Sequence, residues 1–137
     1  MYFLDSDICI NLLRGKLPET YKRLKRSNPK LFGIPAVVAA ELRTGALKSD
    51  DPKGGLLLLE TFLAPFQIIP FDENCAVSYS KIRTKLEIDG QPIGPNDLFI
   101  AATAVANNAV LVTGNTREFV RVEGLDIENW AEVDLDD

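Results

Sequence analysis

Four acidic residues stand where an isolated carboxylate is costly. Asp5 follows the apolar run at 2–4, Glu41 lies within VVAAELRTGA, Asp97 stands near the start of NDLFIAATAVA, and Glu118 follows the strand-like VLVT. Apolar surroundings penalise an ionised carboxylate unless something compensates it, and neighbouring carboxylates raise one another's pKa. A bound divalent cation removes both penalties. We therefore expect these acids to converge on one metal-binding site.

Each acid also has a purely structural interpretation. Asp5 or Ser6 would serve as the N-cap of the helix that follows, because both residue types are favoured there. Asp97 would cap its own helix, and Glu41 would pair with a lysine or arginine. These readings are reasonable one at a time, but they do not explain why several acids fall near strand exits.

The composition limits the chemistry that such a site can perform. The chain has no histidine and only two cysteines, Cys9 and Cys75, without a CxxC spacing. A Cys/His zinc site and the Ser-His-Asp and Cys-His catalytic systems are therefore excluded. Oxygen-only ligands suit Mg²⁺ or Mn²⁺. The two cysteines are expected to be buried thiols in a reducing compartment.

The apolar pattern predicts strands that alternate with helices, and hence a parallel sheet with right-handed crossovers. The first strand is expected to end at Asp5, with Ser6 as N-cap, and Pro35 is placed in the first turn of a helix. The 137 residues are enough for one domain, 1–137, with a full core. Helices are predicted at 8–14, 19–27, 35–47, 53–63, 72–86 and 96–107, and strands at 2–5, 31–34, 66–69, 110–112 and 126–130.

Charge is distributed unevenly along the chain. The net charge is −5, but seven acids and no lysine or arginine lie from Glu123 onward, with an acidic tail at about 131–137. Seven bases fall between Arg14 and Lys30, opposed only by Glu19. These bases have two interpretations: they contact a phosphate backbone, or they are the solvated face of a surface helix. The cations assigned to phosphate contact are Arg14, Lys16, Arg43, Arg83 and Arg117.

No membrane or export segment is expected. The N-terminus lacks a basic region before an apolar core, and the apolar run from Gly54 to Pro65 contains Glu60 and is too short to cross a bilayer. We therefore expect a cytoplasmic protein.

Four segments follow one another over nearly the whole chain: LDSDICINLL, AAELRTGA, GPNDLFIAA and LVTGNTREFVRVEGLDIENW. Together they resemble the PIN-domain proteins of the VapC toxin type. The resemblance implies a three-layer α/β/α sandwich around a parallel sheet of four to five strands. It also implies a Mg²⁺-dependent endoribonuclease, a homodimer, and a cognate VapB-type antitoxin whose gene usually lies alongside. Substrates in this family include tRNA, rRNA and mRNA.

Carried over by position, Asp5, Glu41 and Asp97 match the three acids of the family and would hold one Mg²⁺, directly or through water. Asn115 falls where many members have a fourth acid, and Glu118 matches an acid shortly after it. Because Asn115 is an amide and not an acid, the site has one fewer negative charge to attract a second metal ion. Ser6 is a supporting residue that hydrogen-bonds a carboxylate or a phosphate.

Two other functions compete with this one. Asp5-Ser6-Asp7 after an apolar strand resembles the DxD motif of haloacid-dehalogenase-like phosphatases, in which Asp5 would be the nucleophile. That motif usually continues to Thr or Val, whereas Ile8-Cys9 follows here. The phosphatase also needs a late acidic pair where this chain has Gly114-Asn115. The third interpretation is a catalytically silent PIN-like module whose carboxylates only receive a basic partner.

Overall fold

Strands and helices alternate along nearly the whole chain. The computed structural model describes residues 1–131. Within them, the strands are β1 (Tyr2–Leu4), β2 (Phe32–Pro35), β3 (Gln67–Ile69), β4 (Val110–Val112) and β5 (Asp126–Glu128). The helices are α1 (Ser6–Leu13), α2 (Pro18–Arg26), α3 (Ala36–Leu47), α4 (Pro52–Leu63), α5 (Glu73–Ile88), α6 (Pro95–Ala106) and α7 (Thr116–Phe119). A 3-10 turn, Pro29–Leu31, precedes β2.

The strands form one parallel sheet in the order β3-β2-β1-β4-β5, which confirms the predicted α/β/α fold with a parallel sheet. The chain winds from β1 toward the β3 edge, and after β3 it returns to the other side of β1. Right-handed crossovers therefore place the helices of the two halves on opposite faces of the sheet. Between β1 and β4 lies the topological switch point, where open α/β sheets bind their ligands.

The core is built from the strands and from the small residues of α6. Phe3 and Leu4 of β1 are fully buried, as expected for a central parallel strand covered on both faces. Ala101, Ala102 and Ala104 of α6 are fully buried as well. Their small side chains let α6 approach the sheet closely and bring its N-terminus to the β1–β4 crevice.

The other end of the sheet carries an aromatic cluster. The Trp130 ring lies 5.2 Å from the Tyr2 ring and 5.8 Å from the Phe32 ring, centroid to centroid. The Arg23 guanidinium lies 3.7 Å from the Trp130 ring centroid, within cation–π range. These contacts fix the segment after β5 against α2. The rest of the predicted acidic tail, 132–137, lies outside the described residues.

Several predicted details were wrong at the element boundaries. The N-cap of α1 is Asp5, because β1 ends at Leu4 and the Asp5 side chain accepts the Ser6 N–H. Pro35 closes β2 and precedes α3, so it is not in the first helical turn. Leu31 belongs to the 3-10 turn, where the Asn28 side chain accepts the Lys30 N–H. In each case a local side-chain or ring constraint shifted the boundary by one residue.

Both cysteines, Cys9 and Cys75, are free thiols and buried, as predicted. Among residues 1–131, no helix combines the length and the apolar character needed to cross a membrane.

Candidate metal and nucleic-acid site

Asp5 lies at the carboxyl end of β1, inside the switch-point crevice, with only 5% of its surface exposed. Its Oδ1 accepts the N–H of Ser6 at 2.8 Å, and its Oδ2 accepts the Thr113 hydroxyl at 2.7 Å. The pKa of Asp5 is raised to about 6, mainly by burial and also by the negative charges of Asp7 and Glu41, against the two hydrogen bonds that lower it. Asp5 is therefore both the N-cap of α1, in place of the predicted Ser6, and one of the predicted site residues.

Ser6 connects the first acid to the second. Its Oγ donates to Oε1 of Glu41 at 2.7 Å, across 35 residues of sequence. Glu41 lies in the middle of α3, and this bond fixes its carboxylate toward α1. The predicted supporting role of Ser6, a hydrogen bond to a carboxylate, matches this contact.

Asp97 enters the crevice from the first turn of α6, whose N-cap is Gly94. Asp97 is therefore not the helix cap. Burial raises the pKa of Asp97 to about 7, and a hydrogen bond with Glu118 and the charge of Asp5 act in the same direction. The pKa of Glu118 is lowered because it accepts that hydrogen bond. Asp97 is therefore the member of the pair that keeps its proton to the higher pH.

Asn115 and Glu118 reach Asp97 from the exit of β4. Asn115 is the N-cap of α7, and its Nδ2 lies 3.4 Å from Oδ2 of Asp97. One helical turn later, Glu118 contacts the same carboxylate. Both side chains thus contact the Asp97 carboxylate. Contacts of this kind are expected from groups that orient a metal-binding residue.

Two residues outside the predicted set of metal and supporting residues also belong to the crevice; one of them, Asp7, was named only in the phosphatase alternative. Thr113, fully buried, donates to Asp5 and accepts the Asn115 N–H at 3.0 Å. Asp7 accepts the Gly114 N–H at 2.9 Å. A Cβ on Gly114 would lie 2.6 Å from Asp7 Oδ2, so glycine is needed for this approach. The available signal was the TG pair directly after β4, at the strand exit facing Asp5.

The donor set of the crevice fits a hard cation. Asp5, Glu41 and Asp97 offer only oxygen atoms, and burial raises the pKa of both Asp5 and Asp97, which a bound cation would oppose. Across residues 1–131, no three acidic, histidine or cysteine side chains are already grouped closely enough to hold a metal by themselves. Mg²⁺ retains several waters and commonly takes one or two carboxylates directly. The three acids therefore suit a Mg²⁺ held partly through water.

The five cations assigned to RNA are all exposed, but they differ in their contacts. Arg43 forms an ion pair with Glu60. Arg83 donates to Glu87 at 2.8 Å and to the Tyr79 hydroxyl at 3.1 Å. Arg117 lies in α7, next to Glu118 in sequence. Arg14 and Lys16 lie at and after the end of α1.

A cation that the sequence did not single out is Arg121. It donates to the Pro92 carbonyl at 3.0 Å, and its charge contributes to the lowered pKa of Glu118. Arg121 is therefore a positive group on the Glu118 side of the crevice.

Known proteins are similar to this chain in both sequence and fold. The family model described as PIN domain matches residues 2–125. Ribonuclease VapC2 of Rickettsia felis is 40% identical over 95% of this chain and 98% of its own length. The tRNA(fMet)-specific endonuclease VapC of Shigella flexneri is 35% identical with the same coverage. The crystal structure of DNA-bound VapBC from Salmonella typhimurium superposes with a TM-score of 0.90 at 32% identity, covering 94% of this chain and 97% of that one. The chain therefore belongs to the PIN-domain family, among the VapC-type proteins.

Proposed function

We propose that the protein is a Mg²⁺-dependent endoribonuclease and the toxin of a toxin–antitoxin pair. The observation that carries this proposal is the convergence of Asp5, Glu41 and Asp97 at the β1–β4 switch point, where two of them have raised pKa values. The relatives are named as ribonucleases, one of them specific for tRNA(fMet). RNA, with tRNA as the first substrate to test, is therefore the proposed substrate.

In this proposal Asp5, Glu41 and Asp97 hold one Mg²⁺; Mn²⁺ would be held in the same way. When bound, the ion would lower the pKa of a water molecule and stabilise charge on the scissile phosphate. The protein supplies the positioning. Thr113 and the Ser6 N–H orient Asp5, and the Ser6 hydroxyl orients Glu41.

Proton handling falls to carboxylates, because the chain contains no histidine. Asp97 is hydrogen-bonded to Glu118, and this contact raises the pKa of Asp97 and lowers that of Glu118. Asn115 donates toward Asp97 Oδ2 and keeps that carboxylate turned to the crevice. Glu118 and Asn115 therefore act through Asp97 in this mechanism.

The deciding experiment compares RNA cleavage in Mg²⁺ and in EDTA, beside hydrolysis of p-nitrophenyl phosphate, for the wild type and Asp97→Asn. We expect cleavage of RNA only by the wild type and only with the metal. Cleavage by Asp97→Asn in a preparation free of contaminating nuclease would overturn the assignment. Phosphatase activity without RNA cleavage would favour Asp5 as a nucleophile, and neither activity would favour a silent binding module.

A VapB-type antitoxin is the proposed protein partner. The solved Salmonella relative is a VapBC complex, and the acids of the crevice leave negative charge unbalanced. An arginine or lysine of the partner inserted among them would form charge-assisted hydrogen bonds. We expect an untagged product of the neighbouring gene to copurify with the tagged protein. We also expect a homodimer by light scattering; a monomer at micromolar concentration would contradict that expectation.

A further inference from the structure

A groove of about 700 Å³ runs beside α3 from Val37 to Lys48, with Glu41 near the middle of its lining; we refer to it as the α3 groove. One side is formed by α3, through Glu41, Thr44, Gly45 and Lys48. The opposite side contains the rings of Phe71 and Phe99. Because Glu41 belongs to both, the groove is continuous with the proposed cleavage site.

The α3 side presents an acid near its middle, Glu41, and a base at its C-terminal end, Lys48. Positions 41, 44, 45 and 48 recur every three or four residues, so they share one helix face. Glu41 and Lys48 are separated by about 10 Å along the helix axis, at 1.5 Å per residue. A chain whose scissile phosphate lies at Glu41 thus meets a cation farther along the same face, at Lys48.

The opposite side is a fixed aromatic surface. The Phe99 ring stacks on Tyr79, with centroids 4.8 Å apart and an interplanar angle of 27°. Phe71 packs edge-on against Phe99 at 5.1 Å. Aromatic rings held in this way stack nucleobases with little dependence on base identity.

The α3 side of the groove has free space at Gly45. A Cβ at this position would have no atom within 4 Å. Glycine inside a helix costs about 0.5–1 kcal/mol relative to alanine, and neither packing nor backbone angle requires it here. What the glycine does provide is free space between Glu41 and Lys48.

We propose that the α3 groove holds the unpaired nucleotide next to the scissile phosphate, with its base against Phe99 and its outer phosphate at Lys48. This inference rests on the proposed ribonuclease function and narrows its substrate to RNA that is single-stranded at the cut. Bases within an RNA duplex stack on one another and cannot stack on an aromatic side chain, whereas the unpaired bases of a loop can do so.

Gly45→Leu tests the groove without touching the core, and Thr84→Leu on the exposed side of α5 is the matched control. Binding of a short unpaired RNA is measured in EDTA on an Asp97→Asn background, with thermal unfolding as the check on folding. We expect Gly45→Leu to weaken binding by about 10-fold or more, with the control unchanged and both variants folded. Equal binding by the two variants would overturn the proposal.

Lys48→Gln and Lys53→Gln form a second matched pair, because both lysines are exposed and only Lys48 lines the groove. Loss of one phosphate contact on single-stranded RNA lowers the slope of log K against log salt by about 0.7. We expect this change for Lys48→Gln and not for Lys53→Gln. An identical slope for both variants would remove Lys48 from the RNA path.

A third measurement assigns the base. An abasic nucleotide is placed on each side of the scissile phosphate, and single-turnover cleavage is compared for the wild type and Phe99→Leu. One abasic position should slow the wild type by about 10-fold or more, and the same position should matter little to Phe99→Leu. Equal abasic penalties in both proteins would contradict stacking on Phe99.

The outcomes separate this inference from the function on which it rests. If the wild type cleaves no RNA, the ribonuclease proposal fails, and the binding data in EDTA still decide whether the groove receives RNA. If Gly45→Leu instead dissociates an oligomer, and weak binding follows that dissociation, then the groove receives a second copy of the chain and the proposal is wrong.

Discussion

Thr113 donates a hydrogen bond from Oγ1 to Oδ2 of Asp5 over 2.7 Å, joining two residues that are 108 positions apart. The bond lowers the pKa of Asp5 against the opposing effect of burial.

Thr113→Val keeps the shape of the side chain and removes the hydrogen-bond donor, so we expect the Asp5 pKa to rise further. Leaving a buried acceptor without its partner costs about 1–3 kcal/mol of unfolding free energy. Loss of an orienting group costs about 10–100-fold in activity. Urea unfolding and RNA cleavage measure the two effects.

The control for this substitution is Thr113→Ser, which retains the hydroxyl. It should keep most of the activity and lose only the stability of one buried methyl group. If Thr113→Val cleaves RNA as fast as the wild type, the hydrogen bond to Asp5 has no role in positioning that carboxylate.

The stability of the metal-free protein should fall as pH rises. The folded pKa of Asp5 is about 6 against 3.8 unfolded, and that of Asp97 is about 7. A raised folded pKa means that the folded state binds more protons, so its contribution is complete below pH 4 and is lost as pH passes through 6 to 7. For Asp5 alone, about 2 pKa units correspond to about 3 kcal/mol.

Thermal unfolding in EDTA between pH 4.5 and 8 measures this loss. Asp97→Asn should flatten the curve, because its amide donates to Glu118 without titrating. Added Mg²⁺ should stabilise the wild type more at pH 8 than at pH 5, since it binds the ionised carboxylates. A stability that rises with pH over this window in EDTA would contradict the electrostatic description of the crevice.

The order of importance among the acids is a third prediction. Glu118→Gln keeps a side chain able to contact Asp97, so we expect about 10–100-fold less cleavage but measurable activity. Asp97→Asn should abolish cleavage while the protein stays folded. Asn115→Asp adds a negative charge beside Asp97 and should tighten Mg²⁺ binding in a metal titration. Equal loss of activity in Glu118→Gln and Asp97→Asn would place Glu118 among the direct metal ligands.

The exposed cations should differ in their contribution to RNA binding. Arg83 already donates to Glu87 and Tyr79, so an RNA contact would require it to give up those bonds. Arg117 is exposed and lies next to Glu118 in the sequence of α7. We therefore expect Arg117→Gln to lower RNA affinity and the salt slope more than Arg83→Gln does. The opposite ranking in a filter-binding assay would move the RNA path to α5.

Much of this arrangement was predictable from the sequence, because the central strands β1 and β4 are continuous apolar runs and the acids interrupt apolar patterns. The order of elements and the parallel sheet followed from their alternation. The boundary at Asp5 was missed since aspartate and serine are both good N-caps, and only the backbone geometry distinguishes them. Thr113 and Asp7 were missed because a threonine after a strand and an acid in the first turn of a helix are common everywhere. Their roles depend on pairing across more than 100 residues, which no local pattern encodes.

The position of β1 in the middle of the sheet has a consequence for the timing of synthesis. Asp5 directly follows β1, yet its backbone N–H donates to the Val112 carbonyl and its side chain accepts from Thr113, which are made more than 100 residues later. A growing polypeptide that has not reached Val110 already contains Asp5, Glu41 and Asp97 but lacks the strand that closes the crevice. A product truncated before that point therefore carries all three acids without an assembled site. Assembly of the site therefore waits for the synthesis of β4, and we expect chains that stop before it to lack the proposed RNA cleavage.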